Sequence, residues 1–299
     1  MSAVLFQSQR GSESLFVAEV ISRHDLRALY EYMNGHLQEV PAQIVMGEDG
    51  RGSCMKVYTD AQNEERVRDL LAQGTSEFII QELENNEIYH IIKNGYHFFD
   101  TFEKVELMQD VKKALGRSDV PGELFLIRRK KLIANAIARY LSGKQSLNVD
   151  GFVRFRAKEY LMELEDFIDQ TADEFITMQE YESFLDLLRY FVSIQDQAVA
   201  HVDVVTRANG EYLLLDNDGY EIISREVDEF IEDMDIGEKE YDDILLSSLI
   251  VLAPGAITLH NPSFAPPQLR TTLERIFSGR VTLCQECALC QMGRDIHLH

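Results

Sequence analysis

His201-Val202-Asp203-Val204-Val205-Thr206-Arg207-Ala208-Asn209-Gly210-Glu211-Tyr212-Leu213-Leu214-Leu215 is the stretch on which the fold turns. Apolar and polar side chains alternate on the way in, an Asn-Gly pair marks the reversal, and a second β-rich run leaves it. That is the pattern of a hairpin. Upstream the apolar residues recur at intervals of three and four, so the period of the chain switches here from 3.6 to 2. A second turn at Asn217-Asp218-Gly219 precedes Tyr220 to Ile223, which predicts a three-stranded meander. Then come a helix at Tyr241 to Leu252, a strand at Ala256 to His260, a helix at Pro267 to Phe277 and a strand at Arg280 to Leu283. Strand, helix, strand implies a right-handed parallel crossover. Cys284, Cys287 and Cys290 begin where that last strand ends, a position that suits ligand sites in α/β sheets.

Upstream, Leu124 to Leu141 reads as a helix with Leu126, Ile133, Ile137 and Leu141 inward. Asn148 and Asp150 offer caps for a helix over Gly151 to Phe175, and Glu180 to Gln195 repeats the pattern. Pro121-Gly122 is the best candidate boundary. Before it, Ala3 to Gln7 and Ser14 to Val20 read as strands, Ser22 to Val40 as a helix, and Gln43 to Met46 with Met55 to Tyr58 as a hairpin. Asp60 can cap a helix, and the region from there to Leu115 reads as all helix. The fold class is therefore α+β: a mixed N-terminal domain, a helical middle, and a C-terminal β-meander plus one strand-helix-strand unit. We expect residues 1–116 to form an N-terminal α+β domain ending in helices. Residues 117–299 would form a helical layer followed by an α/β layer carrying the cysteines.

The chain of 299 residues has a formal charge of −22, which disfavours non-specific binding to nucleic acid or anionic lipid. The charge is uneven. From Arg117 to Tyr160 there are ten Lys and Arg against four acids; from Glu221 to Asp243 there are eleven acids against two bases. The run Arg128-Arg129-Lys130-Lys131 could meet phosphates, but a solvated face or an intramolecular partner for the acidic segment fits the overall charge better. No run of apolar residues is long enough to span a bilayer. No secretory signal opens the chain, which points to the cytoplasm, where clustered thiols bind metal or act in redox more often than they form structural bridges.

Three of the four cysteines stand at a spacing of three. On a regular helix each step of three turns the side chain back by about 60°, so a loop wrapping an ion suits them better. Zinc needs a fourth ligand for a closed tetrahedral site, and His297 is the nearest candidate, with His299 and Cys54 behind it. The ferredoxin run fails, because Arg294 and Asp295 stand where its fourth cysteine and proline belong. His201 and His260 each sit at a strand edge, and nothing in the sequence requires them to meet. The fragment Asp216-Asn217-Asp218-Gly219 resembles part of a calcium loop but lacks the closing acid, so a turn is the better reading. Gly151-Phe152-Val153-Arg154-Phe155 lacks the residues an RNA-recognition sheet needs. No phosphate loop, nucleophile elbow, zinc-protease helix or dinucleotide motif occurs. No catalytic residue is assigned.

The block Leu147-Asn148-Val149-Asp150-Gly151-Phe152-Val153-Arg154-Phe155-Arg156-Ala157-Lys158-Glu159-Tyr160 resembles the signature of the YtxC-like sporulation proteins of endospore-forming bacteria. Further matches follow in order: Glu180-Tyr181 with Phe184, Leu187 to Val192 with Gln195, Leu245 to Ile250 with Ala253-Pro254, and Ile276-Phe277 with Gly279-Arg280-Val281. The resemblance implies a sporulation-linked role in the cytoplasm and carries no reaction. Two readings stand: a non-enzymatic sporulation-associated protein that acts through protein contacts, or a metal-binding, zinc-like or thiol-redox protein using Cys284, Cys287, Cys290 and His297.

Overall fold

Strand β1 (Leu15–Ser22) forms the middle of the first of two sheets, because it is apolar on both faces: Val17, Ala18, Val20 and Ile21 are all buried. The computed structural model describes residues 15–37, 40–50, 52–116, 120–222 and 238–294. The strand expected at Ala3 to Gln7, the candidate ligand His297 and most of the acidic segment lie outside these. The described residues fall into two compact units, Met1–Phe175 and Ile176–His299, so the division expected at 116/117 falls within the first. The fold is α+β, with two mixed four-stranded sheets.

In the first unit, β2 (Ala42–Asp49) and β3 (Gly52–Thr59) form the expected hairpin, and the strand order is β2-β3-β1-β4. β4 (Ser146–Asn148) runs parallel to β1 on its other side. Helix α1 (Arg27–His36) precedes the hairpin; α2 (Glu64–Phe78), a π turn at Ile79–Leu83, α3 (Glu84–Gly95) and α4 (Thr101–Leu115) follow it. The segment read as continuous helix is broken between Gly95 and Thr101. There Asp100 caps α4 by accepting from Phe102 N (2.7 Å) and Glu103 N (2.9 Å), while Glu103 accepts from Asp100 N (2.7 Å). This reciprocal capping box fixes a new helix start. α5 (Val120–Leu141) carries Pro121 in its first turn, where a missing N–H costs nothing, and buries Ile133, Ile137 and Leu141 as expected. Asn148 caps α6 (Val149–Arg156) through Gly151 N (2.8 Å). The helix expected from there to Phe175 instead breaks at Ala157 and restarts as α7 (Lys158–Ile194), which has no Gly or Pro and runs 37 residues without a gap at 176–179.

The basic run on α5 is largely spent within the first unit. Arg128 pairs with Glu163, Arg129 with Glu84 and Lys130 with Glu77. Arg129 is 1% exposed, stacks over Phe125 (4.8 Å), and shares Glu84 with the Tyr160 hydroxyl, which donates to Glu84 at 3.1 Å. Burial first, and then the Glu84 charge, push the Tyr160 phenol well above its ordinary pKa. These acids come from α2, α3 and α7, whereas the expected partner was the acidic segment, most of which lies outside the described residues.

In the second unit the order is β6-β5-β7-β8. β5 (His201–Thr206) and β6 (Tyr212–Leu215) form the Asn-Gly hairpin, with Gly210 at φ +87°. Of the third meander strand, the described residues show one bridge, Leu215 to Glu221, with Ile222 N donating to Leu214 O (2.8 Å); Asp216 accepts from Asp218 N and Tyr220 N (both 2.9 Å), a turn and not a cation loop. Helix α8 (Glu238–Leu252), β7 (Ala256–His260), α9 (Pro267–Ile276), β8 (Val281–Cys284) and α10 (Ala288–Arg294) complete the unit. β5, β7 and β8 are parallel neighbours. Val202, Val204, Ile257 and Leu259 point into a core shared with Leu185 and Val192 of α7, Leu245 and Leu249 of α8, and Leu269 and Leu273 of α9. Strand alternation sends His201, Asp203, Val205, Thr258 and His260 to the opposite face. There Val205, Leu213 and Leu215 meet Leu289 of α10. Among the described residues no helix is long and apolar enough to cross a membrane.

Candidate metal centre

β7 and β8 are paired so that His260 lies opposite Cys284. From Cys284 the chain bends through Gln285 to Cys287 and enters α10, which carries Cys290. Cys287 stands at the helix start, its carbonyl accepting from Gln291 N at 3.2 Å. The three thiols thus come from a strand end, a bend and a first helical turn, and only the second step of three runs along helix.

The imidazole Nδ1 of His260 and the three Sγ atoms lie within 4.8 Å of one another. Cys290 Sγ is 3.8 Å from Cys284 Sγ and 3.7 Å from Cys287 Sγ; His260 Nδ1 is 3.1 Å from Cys287 Sγ and 3.5 Å from Cys290 Sγ. One tetrahedral zinc with bonds near 2.3 Å to sulfur and 2.0–2.1 Å to nitrogen sets S···S at about 3.8 Å and S···N at about 3.6 Å. The donors therefore fit a single ion. An iron–sulfur cube, which places each thiolate on a different iron, calls for a wider spread.

The surroundings fix the donors in that arrangement. His260 Nε2 donates to Asp203 Oδ1 (2.9 Å), which leaves the Nδ1 lone pair facing the thiols. The same carboxylate oxygen accepts from His201 Nε2 (3.1 Å), and Thr258 Oγ1 lies 3.2 Å from that nitrogen. Asn261, buried and at φ +52°, turns the chain after β7; asparagine tolerates this left-handed conformation better than most residues. Its N–H donates to Cys284 O (3.0 Å) and its Nδ2 to Cys290 O (2.8 Å), tying strand end and helix together. Gly293 lets α10 approach: a Cβ there would stand 2.7 Å from Asn261 Nδ2 and 2.9 Å from Val205 Cγ1.

Charge is tuned within the cluster. Burial raises the Cys290 thiol, but the N–H of Cys287, the His260 ring, the N–H of Asn261 and the Cys287 thiol outweigh it and bring it down to about 6. For Cys284 the hydrogen bond with the Cys287 thiol dominates and raises it. Burial opposes the proton on His260, yet Asp203 and the thiols of Cys290 and Cys287 lift its pKa. Asp203 is held low: burial works against this, but the hydrogen bonds from His260 and His201 prevail. Because Asp203 orients the ligand ring, Asp203→Asn is expected to weaken metal affinity about 10- to 100-fold in competition with a chromogenic chelator. Affinity unchanged within about twofold would mean the carboxylate does not set the ring.

Of the residues singled out from sequence, Cys284, Cys287 and Cys290 come together; His297 lies outside the described residues. Cys54 is in β3 of the first unit, its thiol donating to Glu19 at 3.3 Å. Among the described residues, His260 is the fourth donor in the group. The signal that could have found it is the strand-helix-strand pattern itself, which sets the last residue of one parallel strand beside the last of the next.

The YtxC-like family matches this chain over residues 69–282. The chain belongs to that family. A curated relative in the family, "Uncharacterized protein YtxC" of Bacillus subtilis (strain 168), is 23% identical over 210 residues, covering 69% of this chain and 73% of the relative. The family match contains Asp203 and His260 and stops just short of Cys284. No solved structure matches the chain.

Proposed function

We propose that this YtxC-like protein holds one zinc ion in a closed site made by His260, Cys284, Cys287 and Cys290, and that the ion is architectural, fastening β8 and α10 to the end of β7. The observation that carries the reading is the convergence of three sulfurs and one nitrogen at the spacing of a single tetrahedral ion, with the imidazole oriented by Asp203. Four protein donors leave no position for substrate, the pattern of structural zinc. The ion would act in the setting the resemblance implies: a sporulation-associated protein of the cytoplasm, without a reaction of its own, working through protein contacts.

Protein purified without chelator is expected to carry about one zinc per chain by elemental analysis, and the Cys284→Ser, Cys287→Ser double variant to carry none. Cobalt(II) substitution is expected to give the strong visible bands of a tetrahedral thiolate site. Absence of both zinc and iron from the wild type overturns the proposal. The depressed Cys290 thiol beside Cys287 supports thiol–disulfide exchange as a second reading. Metal-free protein with a Cys287–Cys290 disulfide would establish that reading instead.

A further inference from the structure

The C-terminal half of α7 is apolar on two faces. One row, Leu185, Leu188 and Val192, packs into the core of the second unit. A second row, Phe184, Leu187, Phe191 and Ile194, is spaced 3-4-3 and points outward, with exposures of 53, 62, 49 and 61%. Tyr190 widens this row. Glu182, Asp186, Arg189 and Ser193 make up the polar third face, so the outward row is a second apolar stripe beyond the one a core-facing globular helix needs. Positions spaced 3-4-3 are the a and d sites of a helix–helix seam, so the fitting cover is another helix.

We infer that this seam pairs with the same seam of a second copy of the chain, through a two-fold interface centred between Leu187 and Phe191. The row, with Tyr190 and Tyr181 beside it, exposes six large apolar or aromatic side chains by 43–62% each, an area on the order of the 800 Å² per partner of a standard stable interface. A copy offers a seam of matching length and spacing, and two-fold pairing closes both faces at once. The flanking positions that set partner choice in helix seams are Tyr181, Ser183, Leu188 and Tyr190. None is charged, so two chains of formal charge −22 can meet here without like charges facing each other across the seam. Tyr181 is further anchored by a hydrogen bond with Thr272 of α9 (2.8 Å), which ties the rim of the seam to the unit beneath. The contact is apolar and the chains repel at long range, so added salt strengthens the dimer instead of weakening it.

Sedimentation equilibrium of the full chain, from low micromolar to about 100 µM, reads the dissociation constant directly. The wild type is expected to dimerise, more tightly at high salt. Leu187→Lys is expected to raise the dissociation constant at least about tenfold, as for a central hot spot, with an unchanged circular dichroism spectrum and zinc content. Hydrogen exchange of the wild type supplies a readout that needs no variant: amides of 184–194 are expected to slow as concentration rises. A wild type that stays monomeric to about 100 µM overturns the inference and assigns the seam to a different protein. So does a folded Leu187→Lys chain that dimerises as well as the wild type, or exchange at 184–194 that ignores concentration.

Discussion

Chelation is expected to destabilise the second unit by about 4 kcal/mol when free zinc stands at roughly a thousand times its dissociation constant. The reason is linkage: an ion that binds the folded arrangement and not the unfolded chain stabilises by RT ln(1 + [L]/Kd), and the unfolded chain does not bring His260 to the cysteines. His260→Ala should reproduce the loss, and chelator should then have no further effect on the variant. Denaturant unfolding with and without chelator, at fixed protein concentration, makes the measurement. A wild-type midpoint that does not move on chelation would show that no ion is coupled to folding. Protons compete with the ion for its ligands: acidification returns protons to the ring and thiols, the ion is displaced, and its contribution fades as pH falls.

Glu84→Gln is expected to cost the first unit about 3–5 kcal/mol, because it leaves the Arg129 guanidinium buried without a counter-charge. Arg129 and Glu84 are 1% and 8% exposed at the side chain, Nε of Arg129 has no hydrogen-bond partner among the described residues, and Tyr160 leans on the same carboxylate. Removing both charges is a different experiment. The double variant Glu84→Leu, Arg129→Met replaces the pair with apolar groups and should recover most of the loss. Guanidinium unfolding of the two variants tests this; a single variant within about 1 kcal/mol of wild type would mean the pair is solvated.

What the sequence disclosed was local, and what it withheld was register. The Asn209-Gly210 hairpin, the strand Ala256 to His260 and the caps at Asn148 depend on neighbours in the chain, and they appear where the pattern puts them. Within the described residues the third meander strand meets β6 at the Leu215–Glu221 bridge, and Asp216 closes the turn before it with its own side chain. The cysteines were legible as a cluster because their spacing is local. His260 and Asp203 were not, since what brings them there is the pairing of β5, β7 and β8, a relation among residues dozens of positions apart. The ion-pair partners of α5 were hidden in the same way: Glu77, Glu84 and Glu163 reach it only when three helices pack.

The distance along the chain from His260 to Cys284 gives the centre a topological meaning. An ion bound to both closes a loop of roughly 25 residues that contains all of α9, as a covalent bridge would. On chain-entropy grounds such a closure removes about 3.5 kcal/mol of freedom from the unfolded state. A disulfide in that place would be set by the redox potential of its surroundings. A metal clasp would instead be set by ion supply and acidity, a staple that can be removed without any redox change.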